Sequence, residues 1–88
     1  MTYKVVYTKK AVKSLRKMDK EQQRLIVSWI EKNLIGAEDP KTSGKPLKSN
    51  LKGYWRYRVG NYRILAEVNE EEVKIIIVNV GHRKDIYS

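Results

Sequence analysis

The sequence predicts an α+β domain in which a two-helix hairpin packs on one face of a small, mostly antiparallel sheet. Two observations predict this class. Two helical patterns follow a short strand-like segment, and the last third of the chain alternates polar and apolar residues. The predicted order is β-α-α-β-β-β. Because 88 residues are enough for one domain only, residues 1–88 are expected to form a single unit.

The first half of the chain carries the helix signals. Residues 2–7 are β-branched and aromatic, which favours a strand. Thr8 is placed to cap a first helix over 9–18, and Asp19 is placed to cap a second one. Gly36 is a natural end for that second helix. Its apolar face comprises Leu25, Ile26, Trp29, Ile30 and Leu34.

A long loop and three strands are predicted after the helices. Residues 36–53 hold both prolines and little periodicity, so they predict a loop. Strands over 54–59 and 62–68 flank Gly60 and Asn61, which is a two-residue hairpin signal. Residues 73–80 are apolar on both faces, so this strand is expected to be central, with Gly81 ending it. The place of the first strand in the sheet stays open.

The hairpin register predicts one core face and one arginine face. A two-residue turn sets Arg58 opposite Arg63, with Arg56 on the same face. Like charges opposed across two strands are destabilising, whereas a phosphate between two guanidinium groups would be bound by both. The alternative is a solvated face neutralised by Glu67. The core face is expected to comprise Trp55, Tyr57, Val59, Tyr62, Ile64 and Ala66.

The charge balance predicts a polyanionic partner. Nineteen Lys and Arg oppose ten Asp and Glu, which gives a net charge of +9. The absence of Cys excludes disulfides and thiolate metal sites, and the single His excludes a multi-histidine metal site. No apolar run is long enough to span a membrane, and no signal-peptide pattern opens the chain. A cytoplasmic protein without metal, cofactor or membrane association is expected.

Two further groups of cations are candidates for sequence-independent contacts with the RNA backbone. One lies along the first helix, and the other lies in the loop. The alternative for both groups is an ordinary solvated surface. The candidates are Lys9, Lys13, Arg16 and Lys17 on the helix and Lys45, Lys48 and Lys52 in the loop.

The C-terminal tail adds three candidates that are expected to emerge from the end of the last strand. His82 titrates near neutral pH and is a candidate acid or base. Arg83 adds a cation, and Tyr87 offers a ring on which an unpaired base can stack. The alternatives are polar surface for His82 and an apolar plug over the core for Tyr87.

Three stretches resemble the RelE branch of the RelE/ParE toxin superfamily. They are GKPLKSNLKG over 44–53, WRYRVGNYRILAEV over 55–68 and VNVGHRKDIY over 78–87. The resemblance implies the RelE-like fold and a ribosome-dependent endoribonuclease that needs no metal. Its chemistry would be attack of a ribose 2′-OH on the adjacent phosphate, which leaves a 2′,3′-cyclic phosphate and a free 5′-OH.

The resemblance also assigns residues. Arg56 and Arg58 match the two basic positions of the first hairpin strand, and Arg63 matches the arginine of the return strand. Arg83 matches the arginine after the last strand, and Tyr87 the base-stacking tyrosine. The first-strand positions are often lysines in this branch. Arginine stays protonated and is a poor base, and His82 stands where the type member has lysine. We therefore expect His82 to transfer the proton.

The family further implies partners and alternatives. A RelE-like toxin is held inactive by a small RelB-like antitoxin, and the pair is expected to bind its own operator DNA. The ribosome and messenger RNA are the other expected partners. A ParE-like inhibitor of DNA gyrase on the same fold is one alternative. A non-catalytic basic module that binds RNA or the ribosome is another.

Overall fold

The computed structural model describes residues 3–35, 38–47 and 53–82. It confirms the α+β class, with two helices and a five-stranded mixed sheet. A π-helical turn over Glu31–Ile35 continues α2, and a 3-10 turn over Pro40–Ser43 precedes β2. The helices and strands are β1 Lys4–Tyr7, α1 Lys9–Arg16, α2 Lys20–Ile30, β2 Lys45–Pro46, β3 Tyr54–Val59, β4 Tyr62–Asn69 and β5 Lys74–His82.

The sheet has the strand order β1-β5-β4-β3-β2. β1 pairs in parallel with β5, and the other pairs are antiparallel. The apolar strand β5, predicted to be central, is an interior strand between β1 and β4, whereas β4 lies in the middle of the sheet and β1 at one edge. β2 lies at the opposite edge, inside the segment predicted to be a loop. Two residues are too few to show a strand period, so only their pairing with β3 defines this strand.

The predicted helix caps are confirmed. The Thr8 hydroxyl accepts a hydrogen bond from the Ala11 amide at 3.1 Å and donates one to the Val78 carbonyl at 2.7 Å. The Asp19 carboxylate accepts from the Gln22 amide at 2.8 Å. α1 ends at Arg16 and not at residue 18, because the Met18 amide donates to the Leu15 carbonyl three residues back and so leaves the α-helical hydrogen-bond pattern. Both helices therefore begin where a side chain satisfies otherwise unpaired amides.

The core lies between the helices and one face of the sheet. Trp29 of α2 packs on Tyr57 of β3, with ring centroids 5.6 Å apart. Trp55 and Tyr62, predicted to belong to the core face, pack against its margin and are partly buried. The buried residues are Ala11, Leu15, Ile26, Ile30, Leu34, Tyr57, Val59, Ile64, Ala66, Ile75, Ile77 and Val80.

The last strand differs from the prediction. β5 does not end at Gly81 but continues through it to His82. The reason is that β4 begins early enough to pair with both residues, because Arg63 lies opposite Gly81 and Tyr62 lies opposite His82. An irregularity between Leu65 and Ala66 shifts the register of this pair of strands.

The segment before β2 is anchored to the core by Tyr57. The phenol of Tyr57 is buried and donates to the Pro40 carbonyl at 2.8 Å. Gly44 lies against the same ring, because a Cβ on Gly44 would stand 2.6 Å from Tyr57 Cε1 and 2.7 Å from the Arg56 carbonyl oxygen. Lys41 contacts both Glu70, as an ion pair, and the face of Trp55. These contacts fix the position of β2.

Replacing Gly44 with alanine should destabilise the protein. The new methyl group meets an aromatic ring and a backbone carbonyl that cannot both move aside, so we expect a loss of about 1–3 kcal/mol in the free energy of unfolding. Urea unfolding followed by tryptophan fluorescence measures this loss. The control is Ser43→Ala in the same exposed turn, which should change stability by less than about 0.5 kcal/mol. Equal stability of the two variants would contradict the close packing.

Replacing Tyr57 with phenylalanine should lower the free energy of unfolding at neutral pH. It should also make that free energy fall less steeply as the pH rises into the alkaline range. Removing the phenol leaves the Pro40 carbonyl without its donor, at a cost of about 1–3 kcal/mol. Burial, with a smaller effect from Asp39, raises the pKa of Tyr57 far above its usual value of 10.0. The hydroxyl therefore stabilises the fold fully below pH 10.0, and this stabilisation is lost as the pH rises above that value.

Urea unfolding at several pH values compares the two proteins. We expect the free energy of unfolding to fall more steeply above pH 10.0 in the wild type than in Tyr57→Phe. Burial and Glu31 also raise the pKa of Tyr7, but Tyr7 is present in both proteins and its effect cancels. Parallel pH curves would show that the Tyr57 phenol does not couple proton loss to unfolding.

Candidate functional site

The β3–β4 hairpin brings three arginines to the sheet face that is turned away from the helices. The structure confirms the predicted register, with Arg58 opposite Arg63 and Arg56 opposite Leu65. Residues alternating with the arginines in these strands, Tyr57 and Ile64 among them, are buried under the helices. The arginines must therefore point to the other side. Arg58 is exposed, and Arg56 and Arg63 are half-buried.

Strand β2 adds a fourth cation to this face. Lys45 lies directly opposite Arg56, so both side chains are on the same side of the sheet. Lys45, Arg56 and Arg58 line a cavity of about 240 Å³ together with Thr42, Ser43 and Gly44. The sequence predicted a loop at Lys45, because β2 is defined only by its backbone pairing with β3 and has no periodic pattern of its own. We call Lys45, Arg56, Arg58 and Arg63 the cation face.

Three members of the cation face carry positive charge that no nearby carboxylate of the described residues neutralises. Within residues 3–35, 38–47 and 53–82, no carboxylate lies within 4.0 Å of Lys45, Arg56 or Arg58. Glu67, the neutralising residue of the alternative interpretation, lies opposite Tyr54. One guanidinium nitrogen of Arg63 donates to the Tyr62 carbonyl at 3.2 Å, which holds that side chain at the strand. The arrangement is suited to an anion with several oxygens.

His82 lies on the other side of the sheet, which corrects its expected position beside the arginines. Its partner across the strands is Tyr62, and the two rings meet edge to face with centroids 5.7 Å apart. His82 also lines a cavity of about 370 Å³ with Lys17 and Met18, which follow the end of α1. The physical reason is strand alternation. Because β5 stays in the sheet through residue 82, Gly81 faces the arginine side and His82 faces the helices.

The cations of the first helix are also on the helix side. Lys9, Lys13 and Arg16 line a cavity of about 570 Å³ with Tyr7 and Val12, and Lys17 lines the His82 cavity. The structure therefore does not bring the four helix cations together with the cation face. The remaining candidates, Lys48, Lys52, Arg83 and Tyr87, lie outside the described residues.

Neither described helix is long and apolar enough to cross a membrane. The cation face carries its charges on the adjacent strands β3 and β4 and on the edge strand β2.

Replacing Arg58 with threonine should change both stability and anion response. Removing one of two opposed charges should raise the free energy of unfolding by about 0.2–1 kcal/mol at low salt. Millimolar phosphate should raise the melting temperature of the wild type, because an anion that binds the folded state stabilises it. Thermal unfolding with and without phosphate tests this, and Arg58→Lys should keep part of the response. An equal response of the wild type and Arg58→Thr would contradict the site.

Comparison with known proteins identifies the family. The model for the "ParE toxin of type II toxin-antitoxin system, parDE" matches residues 5–87. The chain is 33% identical over 87 residues to Toxin RelG of Mycobacterium tuberculosis, which spans 99% of this chain and 98% of that protein. It is 40% identical over 86 residues to Toxin RelE3 of Methanocaldococcus jannaschii, spanning 96% and 94% of the two chains.

The solved structures agree with this assignment. A chain of the toxin–antitoxin complex RelBE2 from Mycobacterium tuberculosis superposes with a TM-score of 0.85 at 30% identity. The match covers 94% of this chain and 100% of the other. The fold, the hairpin and nearly the full length are therefore shared with RelE-type toxins. The chain belongs to the RelE/ParE superfamily of toxins from type II toxin–antitoxin systems.

Proposed function

We propose that this toxin is a metal-independent endoribonuclease that cuts messenger RNA in the decoding site of the ribosome and so inhibits translation. The observation that supports this proposal most is the direct opposition of Arg58 and Arg63 on the open side of the sheet. Two guanidinium groups opposed in this way repel each other, and a phosphate bound between them replaces that repulsion with charge-assisted hydrogen bonds. The resemblance to RelE toxins supplies the reaction and the ribosome.

The cation face fits the charge changes of that reaction. The ribose 2′-oxygen forms a bond to the adjacent phosphorus, and the bond from phosphorus to the 5′-oxygen breaks. The 2′-OH loses its proton to a base, and the leaving 5′-oxygen gains one from an acid. Between these events the phosphorane carries more negative charge than the substrate. Arg56, Arg58 and Arg63 would stabilise that charge without a metal.

We propose that His82 transfers the proton, as the resemblance suggested. Its position in the structure requires that the ring move before it can do so. The His82 ring packs on Tyr62 at the end of β5. To reach a phosphate at Arg63, the ring would have to leave Tyr62 and turn around the strand end. Arg83 is proposed to support the leaving oxygen, and Tyr87 to stack on a base and align the attack in line.

The open shape of the site suits catalysis inside a larger particle. The cation face is one side of a small sheet, so it cannot by itself enclose an RNA strand or exclude water around it. Binding of the RNA in the decoding site of the ribosome would provide the orientation that the toxin alone does not. The helix cations Lys9, Lys13, Arg16 and Lys17 would then be free to contact ribosomal RNA, as would Lys48 and Lys52.

A RelB-like antitoxin is the proposed partner of the resting toxin. The similar chain of Mycobacterium tuberculosis was solved as a toxin–antitoxin complex. The net charge of +9 favours an acidic wrapping segment. We further propose that the pair binds its operator DNA, and that the toxin acts in the cytoplasm, where the ribosomes are. Co-expression with a candidate antitoxin should yield a complex that co-purifies and relieves growth arrest.

Brief induction of the wild type beside Arg63→Ala and His82→Ala tests the proposed function. We expect primer extension to show discrete cuts in translated messenger RNA, which Arg63→Ala should reduce by about a hundredfold or more. Loss of cleavage in His82→Ala would support a role of His82 in proton transfer, and near-full cleavage would contradict it. A matched variant on the helix side, Lys10→Ala, should cut like the wild type.

The same experiment separates the alternatives. Intact messenger RNA with arrested growth and DNA breaks would contradict the nuclease and support gyrase inhibition. Intact messenger RNA with stalled ribosomes and no DNA breaks would instead support a non-catalytic module that blocks the ribosome.

A further inference from the structure

We propose that Ser43 and Lys45 bind a second phosphate of the substrate, next to the scissile one, and that Arg56, which lies between Lys45 and Arg58, contacts both phosphates through different nitrogens of its guanidinium. The inference rests on the proposed function, because it extends the same face to a neighbouring nucleotide. It makes the turn before β2 part of the substrate-binding surface. The toxin would then recognise two consecutive phosphates of one RNA strand.

The register arranges the cations in two rows. Lys45 lies opposite Arg56 in one row, and Arg58 lies opposite Arg63 in the other. Arg56 and Arg58 are two residues apart in β3, so the rows are about 6.8 Å apart. The backbone of a single-stranded nucleic acid repeats from one phosphate to the next over a comparable length. A strand that runs along β3 would present one phosphate to each row.

The first row borders a pocket that Arg58 of the second row also lines. The cavity of about 240 Å³ is bounded by the turn over residues 42–45 and by two arginines of β3. The hydroxyl of Thr42 already donates to the Asp39 carbonyl at 2.9 Å, so it is not available to a ligand. Ser43 is exposed at the cavity and makes none of the side-chain hydrogen bonds found in the described residues. We therefore assign the Ser43 hydroxyl as a hydrogen-bond donor to the second phosphate.

The pocket is held in place before any ligand arrives. Gly44 lies against the Tyr57 ring and the Arg56 carbonyl, and the Tyr57 phenol holds the Pro40 carbonyl. The Leu47 amide donates to the Tyr54 carbonyl at 3.0 Å, which closes the far side of the turn. Lys45 therefore starts from a fixed backbone, so less ordering is needed when an anion binds.

The charges suit an anion with several oxygens, and phosphate is the one that the proposed RNA substrate supplies. A guanidinium binds two oxygens of one phosphate through its fork, and an ammonium adds a point charge beside it. No described carboxylate within 4.0 Å competes for Lys45 or Arg56. The row therefore offers several charged donors to one tetrahedral anion. The inferred ligand is the backbone, independent of sequence.

The experiment pairs protein variants with single neutral substitutions in the RNA. Ribosomes are programmed with a short messenger RNA whose scissile position is known, and one methylphosphonate at a time replaces the phosphates flanking the cut. Single-turnover cleavage is measured for the wild type, Lys45→Ala, Ser43→Ala and Lys45→Arg. The control is Lys32→Ala, which removes an exposed lysine from the helix side of the protein.

On unmodified RNA, we expect Lys45→Ala to slow cleavage about tenfold and Ser43→Ala about threefold. Lys45→Arg and Lys32→Ala should stay near the wild-type rate. One flanking methylphosphonate should slow the wild type about tenfold and have no further effect on Lys45→Ala, because the two changes remove the same contact. Melting temperatures equal to that of the wild type exclude a loss by misfolding.

The outcomes keep the two proposals apart. If the wild type cuts and Arg63→Ala does not, but methylphosphonates slow Lys45→Ala as much as the wild type at every position, only the second phosphate site is overturned. The same holds if Lys45→Ala cuts at the wild-type rate. If the wild type leaves unmodified messenger RNA intact on the ribosome, the nuclease itself fails and the inference fails with it.

Discussion

The register of the β3–β4 hairpin is the constraint on which the rest of this structure depends. Gly60 adopts a backbone φ of 59° at the turn, which residues with a Cβ rarely adopt. This turn sets Val59 opposite Tyr62, and every later pair follows in steps of one. A slip of β3 by one residue would send Tyr57 into solvent and would turn Arg56 and Arg58 toward the core. Core formation therefore fixes the cation face at the same time.

Tyr57 connects the core to the site. Its ring fills the space under Trp29, its edge meets Gly44, and its hydroxyl holds Pro40. One buried side chain thus joins α2, the 3-10 turn and β3. The backbone position of Lys45 depends on that junction, since two pairs of residues are a weak strand by themselves. The stability of the fold and the placement of this cation are consequently linked through one residue.

The sheet also divides the molecule into two chemically different sides. The cation face has its charges on strands, and none of the described helices lies above it. The opposite side combines the helix cations with apolar side chains such as Tyr7 and Val12 and with the Tyr62–His82 pair. A single short RNA strand lying on the cation face would not reach both sides. Under the proposed function, the helix side would remain available to the larger partners, the antitoxin and the ribosome.

The sequence alone determined the helix caps, the hairpin register and the face on which Arg56, Arg58 and Arg63 lie, because each depends on residues close together in the chain. Only the tertiary structure decided the features that depend on distant pairing. β1 joins β5 in parallel across the whole chain, and Lys45 enters the sheet through two backbone pairs with no periodic pattern. The position of His82 depended on whether β5 stopped at Gly81, which the length of β4 decides. A glycine is compatible with either outcome, so the local sequence could not place that imidazole.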